Sequence, residues 1–167
     1  ANQFKAIRGY YTRNVISKVV KSKVLKPTFS HKTQANGVPL PATFVHDMSA
    51  LLEKEDTSIK LYSKFPFPNR NARTLDSFQS AAWDFLVKNP DSDFVQQQTV
   101  GGREQVRVAI ADKMVAQGCV NCHNTRADSP KTDWKLNEVR GVLEVATFID
   151  APLARGFNLS TSLVIAT

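Results

Sequence analysis

The chain is poor in the side chains that usually advertise chemistry. Among 167 residues there are two cysteines, three histidines and two methionines. Two cysteines close one disulfide at most, which excludes a small fold stapled by several bridges. No run reaches the roughly 18 consecutive apolar residues that a membrane-crossing helix needs. Seven glycines and eight prolines exclude collagen-like and low-complexity classes. No Ser-His-Asp arrangement, phosphate loop or second metal motif is present, so an enzyme is not expected. Acidic residues are absent from positions 1 to 46 altogether.

That last absence locates the charge. The formal net charge is +7, and residues 1 to 46 hold eight basic side chains without one acid. The remainder carries 14 basic and 15 acidic groups, so the body is close to neutral and the excess lies on an N-terminal arm. With no zinc finger or other base-reading motif beside it, the arm is not expected to bind nucleic acid; a solvated helix face near a membrane surface is the simpler account.

Both cysteines and one histidine fall together in Gly118-Cys119-Val120-Asn121-Cys122-His123. At this chain's composition, Cys-x-x-Cys-His arises by chance in roughly 4 of 10,000 such sequences, and it is the attachment pattern for c-type haem. Two thiols three residues apart can each form a thioether to one porphyrin vinyl group, and the adjacent imidazole is held beneath the ring as an iron ligand. Three other readings compete. A structural zinc site lacks a second paired spacing. A thioredoxin-like pair would open a helix directly after a strand, whereas Gly118 is expected to break the preceding helix-like run. A disulfide leaves His123 without a role.

Periodicity gives a coarse element order. Phe4, Ile7, Tyr11, Val15, Val19, Val20 and Val24 predict one long N-terminal helix running up to Pro27, and a loop through Gly37 follows. Pro41 opens a second helix with Phe44, Val45, Met48, Leu51 and Leu52 as its apolar stripe, closing near Glu55. Ile59 to Phe65 alternates as a strand, and the prolines after it require an irregular segment. Asp76 and Gln79 resemble a capping box for a helix that stops at Asn89-Pro90. Phe94 to Val100 and Arg103 to Ala111 read as a hairpin through Gly101-Gly102. Val139 to Phe148 is another strand, with Gly141 marking a close approach or a bulge. Helices followed by an antiparallel sheet predict an α+β fold. The segment from Gly156 to Thr167 grows apolar and reads as the start of a longer helix.

The block Met114, Cys119 to Asn124, Ser129-Pro130-Lys131, Asp133-Trp134-Lys135 and Val139 to Val145 resembles the PAS-like c-type haem domains of periplasmic sensors, a family long catalogued as a domain of unknown function. The resemblance covers residues 38 to 150. It implies a PAS-like antiparallel sheet with one covalent haem c, preceded by an N-terminal signalling helix and loop over 1 to 37 and followed by a tail, 151 to 167, leading toward a membrane segment. Members of that family can use a cysteine on the early helix as second axial ligand, and this chain has no third cysteine.

The sixth iron ligand must then come from elsewhere. His46 falls almost opposite the apolar stripe of its helix, so it ligates if haem covers that face and is a solvated histidine otherwise. Met48, His31, Met114 and an open or water-filled position are the alternatives. Arg70, Arg73, Lys131, Lys135 and Arg140 are the candidate partners of the haem propionates. Trp134, eleven positions past the motif, ranks above Trp83 for packing on the ring. The expected function is a periplasmic haem c sensor domain, anchored to the inner membrane through flanking segments and responding to redox state or a diatomic gas. A monohaem electron carrier with a redox partner is the alternative. A homodimer through the N-terminal helix is the assembly expected of its long apolar stripe.

Overall fold

A computed structural model describes residues 1–53 and 56–150. The predicted tail, 151 to 167, lies outside the described residues. The N-terminal helical stretch comprises α1 (Asn2–Tyr11), a π-helical turn (Thr12–Ile16) and α2 (Ser17–Ser22). After it come β1 (Lys26–Thr28), β2 (Gly37–Pro39), α3 (Pro41–Leu52), β3 (Thr57–Tyr62), α4 (Ser77–Lys88), β4 (Asp93–Val100), β5 (Arg103–Lys113), α5 (Gln117–Thr125) and β6 (Val139–Phe148). The expected α+β class with an N-terminal helix and an antiparallel sheet is what is found.

The sheet has the order β3-β6-β5-β4, with every neighbouring pair antiparallel. Gly101 and Gly102 both adopt positive φ, 59° and 78°, which is the backbone a two-residue hairpin link needs. Period-2 alternation sends two sets of side chains to two faces. On one face Tyr62, Ala109, Ala111 and Val142 meet α4 through Phe78, Ala82, Trp83 and Leu86. On the other, Ile59, Leu61, Ile110 and Leu143 meet Val45 of α3, with Phe4 of α1 packed against them. The sheet is therefore sandwiched between helices, and its end near Tyr62, Lys113 and Val139 is where α5 attaches.

Local chemistry explains the boundaries. Asp76 accepts from the Gln79 backbone N–H at 2.8 Å while the Gln79 side chain accepts from the Asp76 N–H at 3.2 Å, the reciprocal cap that the sequence predicts. β6 carries a bulge: Asp112 pairs with Gly141 but Lys113 pairs with Val139, leaving Arg140 as the extra residue. A Cβ at Gly141 would sit 2.8 Å from the Tyr62 carbonyl oxygen, so the close approach and the bulge expected there both occur.

Four expectations need correction. The N-terminal helix stops at Ser22, because Lys23 takes a left-handed conformation (φ 57°). Its inward face is Phe4, Arg8, Tyr11, Ile16 and Val19 rather than the purely apolar stripe; Ile7 and Val15 stay exposed, because Arg8 turns inward to a buried acid and the π-turn advances the phase. α3 ends at Leu52, with Leu51 exposed, and buries Thr43, Val45 and Ser49. Ser49 is inside because its hydroxyl accepts from the Ile59 N–H at 3.0 Å. The loop before Pro41 contains the short parallel pair β1–β2, whose three-residue strands with a proline each give no period to read.

A buried ion network crosses the α4 face. Glu144, fully buried, accepts from Arg107 Nε at 2.8 Å and from Gln79 Nε2 at 3.0 Å, and Arg107 also reaches Asp76 at 2.9 Å. Breaking such a pair by removing one partner costs about 3–5 kcal/mol, because the other charge stays buried. Arg107→Met is therefore expected to lower stability by an amount of that order in urea unfolding, and the double variant Arg107→Met/Glu144→Leu to recover most of it.

Candidate functional site

The attachment motif lies on α5, which starts three residues after β5 ends. Gly118 is in the first turn of this helix and does not break it, since N-terminal turns tolerate glycine and nothing lies within 4 Å of the Cβ it lacks. The Cys-x-x-Cys pair thus does open a helix that follows a strand. The strands on either side, β5 and β6, are antiparallel, so the unit is not the βαβ of a thioredoxin-like site.

α5 rests on a small core of its own. Met114, Val120 and Trp134 are buried together, with Cys119 packed against them. The Asn124 side chain clamps the following loop: its Nδ2 donates to the Trp134 carbonyl at 2.9 Å and its Oδ1 accepts from the Trp134 N–H at 3.0 Å. Met114 and Asn137 close the loop with a backbone bond of 2.8 Å. Trp134 is thereby placed under the helix that bears the thiols.

Cys119 is half-buried, Cys122 is exposed, and both thiols are free. Three residues apart on one helix, they project from adjacent turns of the same side. His123 is half-buried against Phe67, with ring centroids 5.3 Å apart, and the Arg126 guanidinium covers the Phe67 ring at 4.6 Å. Burial pushes the His123 imidazole down to about 4, with Arg140, Arg126 and Arg8 acting in the same direction and Asp112 opposing them. At neutral pH the imidazole is uncharged, with a nitrogen lone pair free to coordinate.

His46, on α3, lines a cavity of about 90 Å³ together with Leu61, Phe67, Arg70, Arg73 and Arg140. Its face of α3 is covered by the loop 63–75 rather than by solvent. Burial, then Arg70 and Arg73, lower its pKa to about 4, against the pull of Asp47. Phe67 is common to both histidines: it lines the His46 cavity and packs against the His123 ring. Arg73 donates to the Leu61 carbonyl at 2.9 Å, and neither Arg70 nor Arg73 pairs with a carboxylate among the described residues.

The remaining candidates lie apart from this cavity. Lys131 pairs with Asp133 at 2.5 Å and Glu138 at 3.3 Å and covers the Trp134 ring. With Trp134, Trp83 and Phe65 it lines a wider cleft of about 430 Å³ on the α4 side. His31 Nε2 donates to Asp47 Oδ2 at 3.1 Å, and Met114 is buried beneath α5. Met48 is half-buried on α3, and Lys135 is exposed.

Residues 1–147 match the model of the Tll0287-like family. The chain belongs to this family. The match begins at the first residue, so α1 and α2 are part of the Tll0287-like domain. No curated protein matches the chain.

The donor set of this Tll0287-like domain fits a covalent haem: two free thiols at attachment spacing, an uncharged imidazole beside them, and guanidinium groups without carboxylate partners nearby. It does not fit zinc, because among the described residues no three of His, Cys, Asp and Glu gather around one point. Three site residues escaped the sequence reading. Arg8 interrupts an apolar stripe and Asp112 ends an alternating strand at an inward position, and both anomalies were visible; Phe67, between two prolines, gave no signal.

The depressed His46 pKa has a consequence for stability. The unfolded chain takes up this proton near pH 6.5, while the folded chain resists until about pH 4. The unfolded state then binds more protons in between, so stability is full above pH 6.5 and falls as the pH drops toward 4. His46→Asn is expected to make that fall shallower, read as the urea midpoint from pH 8 to 4. An equally steep fall in the variant would place the acid sensitivity elsewhere.

Proposed function

We propose that this chain is a haem c sensor domain, with Cys119 and Cys122 as the thioether anchors, His123 as the proximal iron ligand and His46 as the ligand opposite. The observation that carries the reading is two uncharged, half-buried imidazoles that share Phe67, which lines the His46 cavity and packs against the His123 ring, with His123 adjoining two free thiols. A haem held there supplies a one-electron couple and a sixth coordination position.

The residues divide the remaining work. Arg70 and Arg73 face the cavity without carboxylate partners and suit the two propionates. Phe67, lining the His46 cavity and packed on His123, shields the site from water, and Trp134 with Lys131 supports α5 from beneath. The four-stranded antiparallel order with helices on both faces suits the PAS-like class. Covalent haem implies export, so the domain is placed in the periplasm, tied to the inner membrane by flanking segments; among the described residues no helix is long and apolar enough to cross a membrane. The signal would be redox state, or, where His46 does not ligate, a diatomic gas at the iron. Sensing is preferred to electron carriage because the long N-terminal helix connects to the site through Arg8 and Asp112, a link that a carrier does not need. Ile7, Tyr10 and Val20 are exposed along that helix and suit pairing with a second copy, which light scattering would report as twice the chain mass.

The deciding measurement is the optical spectrum of the reduced protein with and without carbon monoxide. A haem that stays on the chain through denaturation, and is lost in Cys119→Ser/Cys122→Ser, is expected. The Soret band of the wild type should not shift with the gas, and that of His46→Ala should. A shift in the wild type would remove His46 as ligand and make the domain gas-responsive; the absence of any Soret band would remove the haem reading.

A further inference from the structure

We propose that Asp112 is the pin that couples the charge at His123 to the N-terminal helix, holding Arg8 of α1 on one side and Arg140 of β6 on the other. This inference rests on the haem reading above and names the device by which the site would be read out.

The geometry singles out this carboxylate. Asp112 is 2% exposed, at the end of β5. Arg8 Nη1 donates to its Oδ2 at 3.0 Å and Arg8 Nη2 to its Oδ1, while Arg140 Nη2 lies 2.6 Å from Oδ2. Both arginine side chains are themselves largely buried, at 13% and 18% exposure. The bulge that leaves Arg140 without a strand partner is what turns it to Asp112. Arg140 lines the cavity of His46 and Phe67, and the Phe67 ring packs against His123. A buried triad of formal charge +1 therefore links the edge of that cavity to a helix more than 100 residues earlier in the chain.

The rest of α1 is held by softer contacts. Phe4 packs on the sheet, and Tyr11 stacks on Phe44 at 4.7 Å and donates to the Pro39 carbonyl at 2.8 Å. Directly after it comes the π-helical turn Thr12–Ile16, a local irregularity of the kind found at functional positions and able to absorb a small axial shift. The Thr12 hydroxyl donates to the Arg8 carbonyl at 2.8 Å, tying that turn to the pin.

The direction of the coupling follows from charge. A haem held at His123 would take up one electron from an external one-electron donor on reduction, with no bond made or broken in the protein. One positive charge is then removed near two buried guanidinium groups. Repulsion of Arg8 falls, its clasp on Asp112 tightens, and α1 docks more firmly in the reduced state. By reciprocity the same clasp favours the reduced iron.

Hydrogen exchange over residues 2–11 of the haem-loaded protein tests this, with ferricyanide holding one sample oxidised and dithionite the other reduced. Wild-type amides of α1 should exchange about fivefold more slowly when reduced, a typical coupling between linked sites. Arg8→Gln should exchange fast in both states and have a lower midpoint potential, and Arg8→Lys should recover part of the difference. Equal exchange in the two states of a wild type that shows its haem bands would overturn the pin and leave the haem reading standing. Absence of the haem bands would instead sink the haem reading beneath it. The wild-type comparison decides the matter even if Arg8→Gln does not fold.

Discussion

A carboxylate taken out of water must be neutralised, and much of this structure is arranged around one that is. Asp112 is buried where β5 ends, and an unpaired charge there would cost several kcal/mol. Arg8 therefore takes an inward position on α1 that an apolar residue would otherwise fill. Arg140 reaches the same carboxylate only because β6 is bulged, and the bulge in turn requires Gly141 to pass close to the Tyr62 carbonyl. One acid thus sets the rotation of the first helix, the irregularity of the last strand and the charge beside His123.

The two faces of the sheet use buried charge differently. On the α4 face, Glu144, Arg107, Gln79 and Asp76 form a closed network that ties the helix cap to the middle of the sheet, far from the thiols. Arg107 also covers the Phe78 ring at 4.1 Å, so its stem and head both pack. On the α1/α3 face the charges lie at the sheet's end, around the cavity that His46, Arg70 and Arg73 line. Here the cations outnumber the acids, and they add to the burial that keeps both imidazoles uncharged. The first arrangement holds a fold together; the second leaves a cavity lined by Arg70 and Arg73, which have no carboxylate partners among the described residues.

What could be read from sequence was what depends on neighbours in the chain. Cys119, Cys122 and His123 stand at a spacing with a covalent meaning, the Asp76–Gln79 cap needs only four residues, and the Gly101-Gly102 hairpin needs two. Strands β4 and β5 were legible through the glycine pair that joins them and the alternation of Val106, Val108 and Ile110, and β6 through its β-branched residues. The phase of α1 was misjudged because the best inward residue was a cation whose partner lies 104 residues away. Gly118 was misjudged because helix propensity ignores position, and a first turn forgives what a middle turn does not.

His46 shows the division most clearly. Its place opposite an apolar stripe was visible in the sequence, and so was the choice between a ligand and a solvated side chain. Only the fold supplied the cover: a proline-rich loop brings Phe67, Arg70 and Arg73 over that face of α3. The sequence by itself determined the Cys-x-x-Cys-His spacing and the α+β order, since both are written in short-range pattern. The tertiary structure decided that Phe67 meets both the His46 cavity and the His123 ring and that Arg8 reaches Asp112, because burial and Coulomb forces act between residues that the chain keeps far apart.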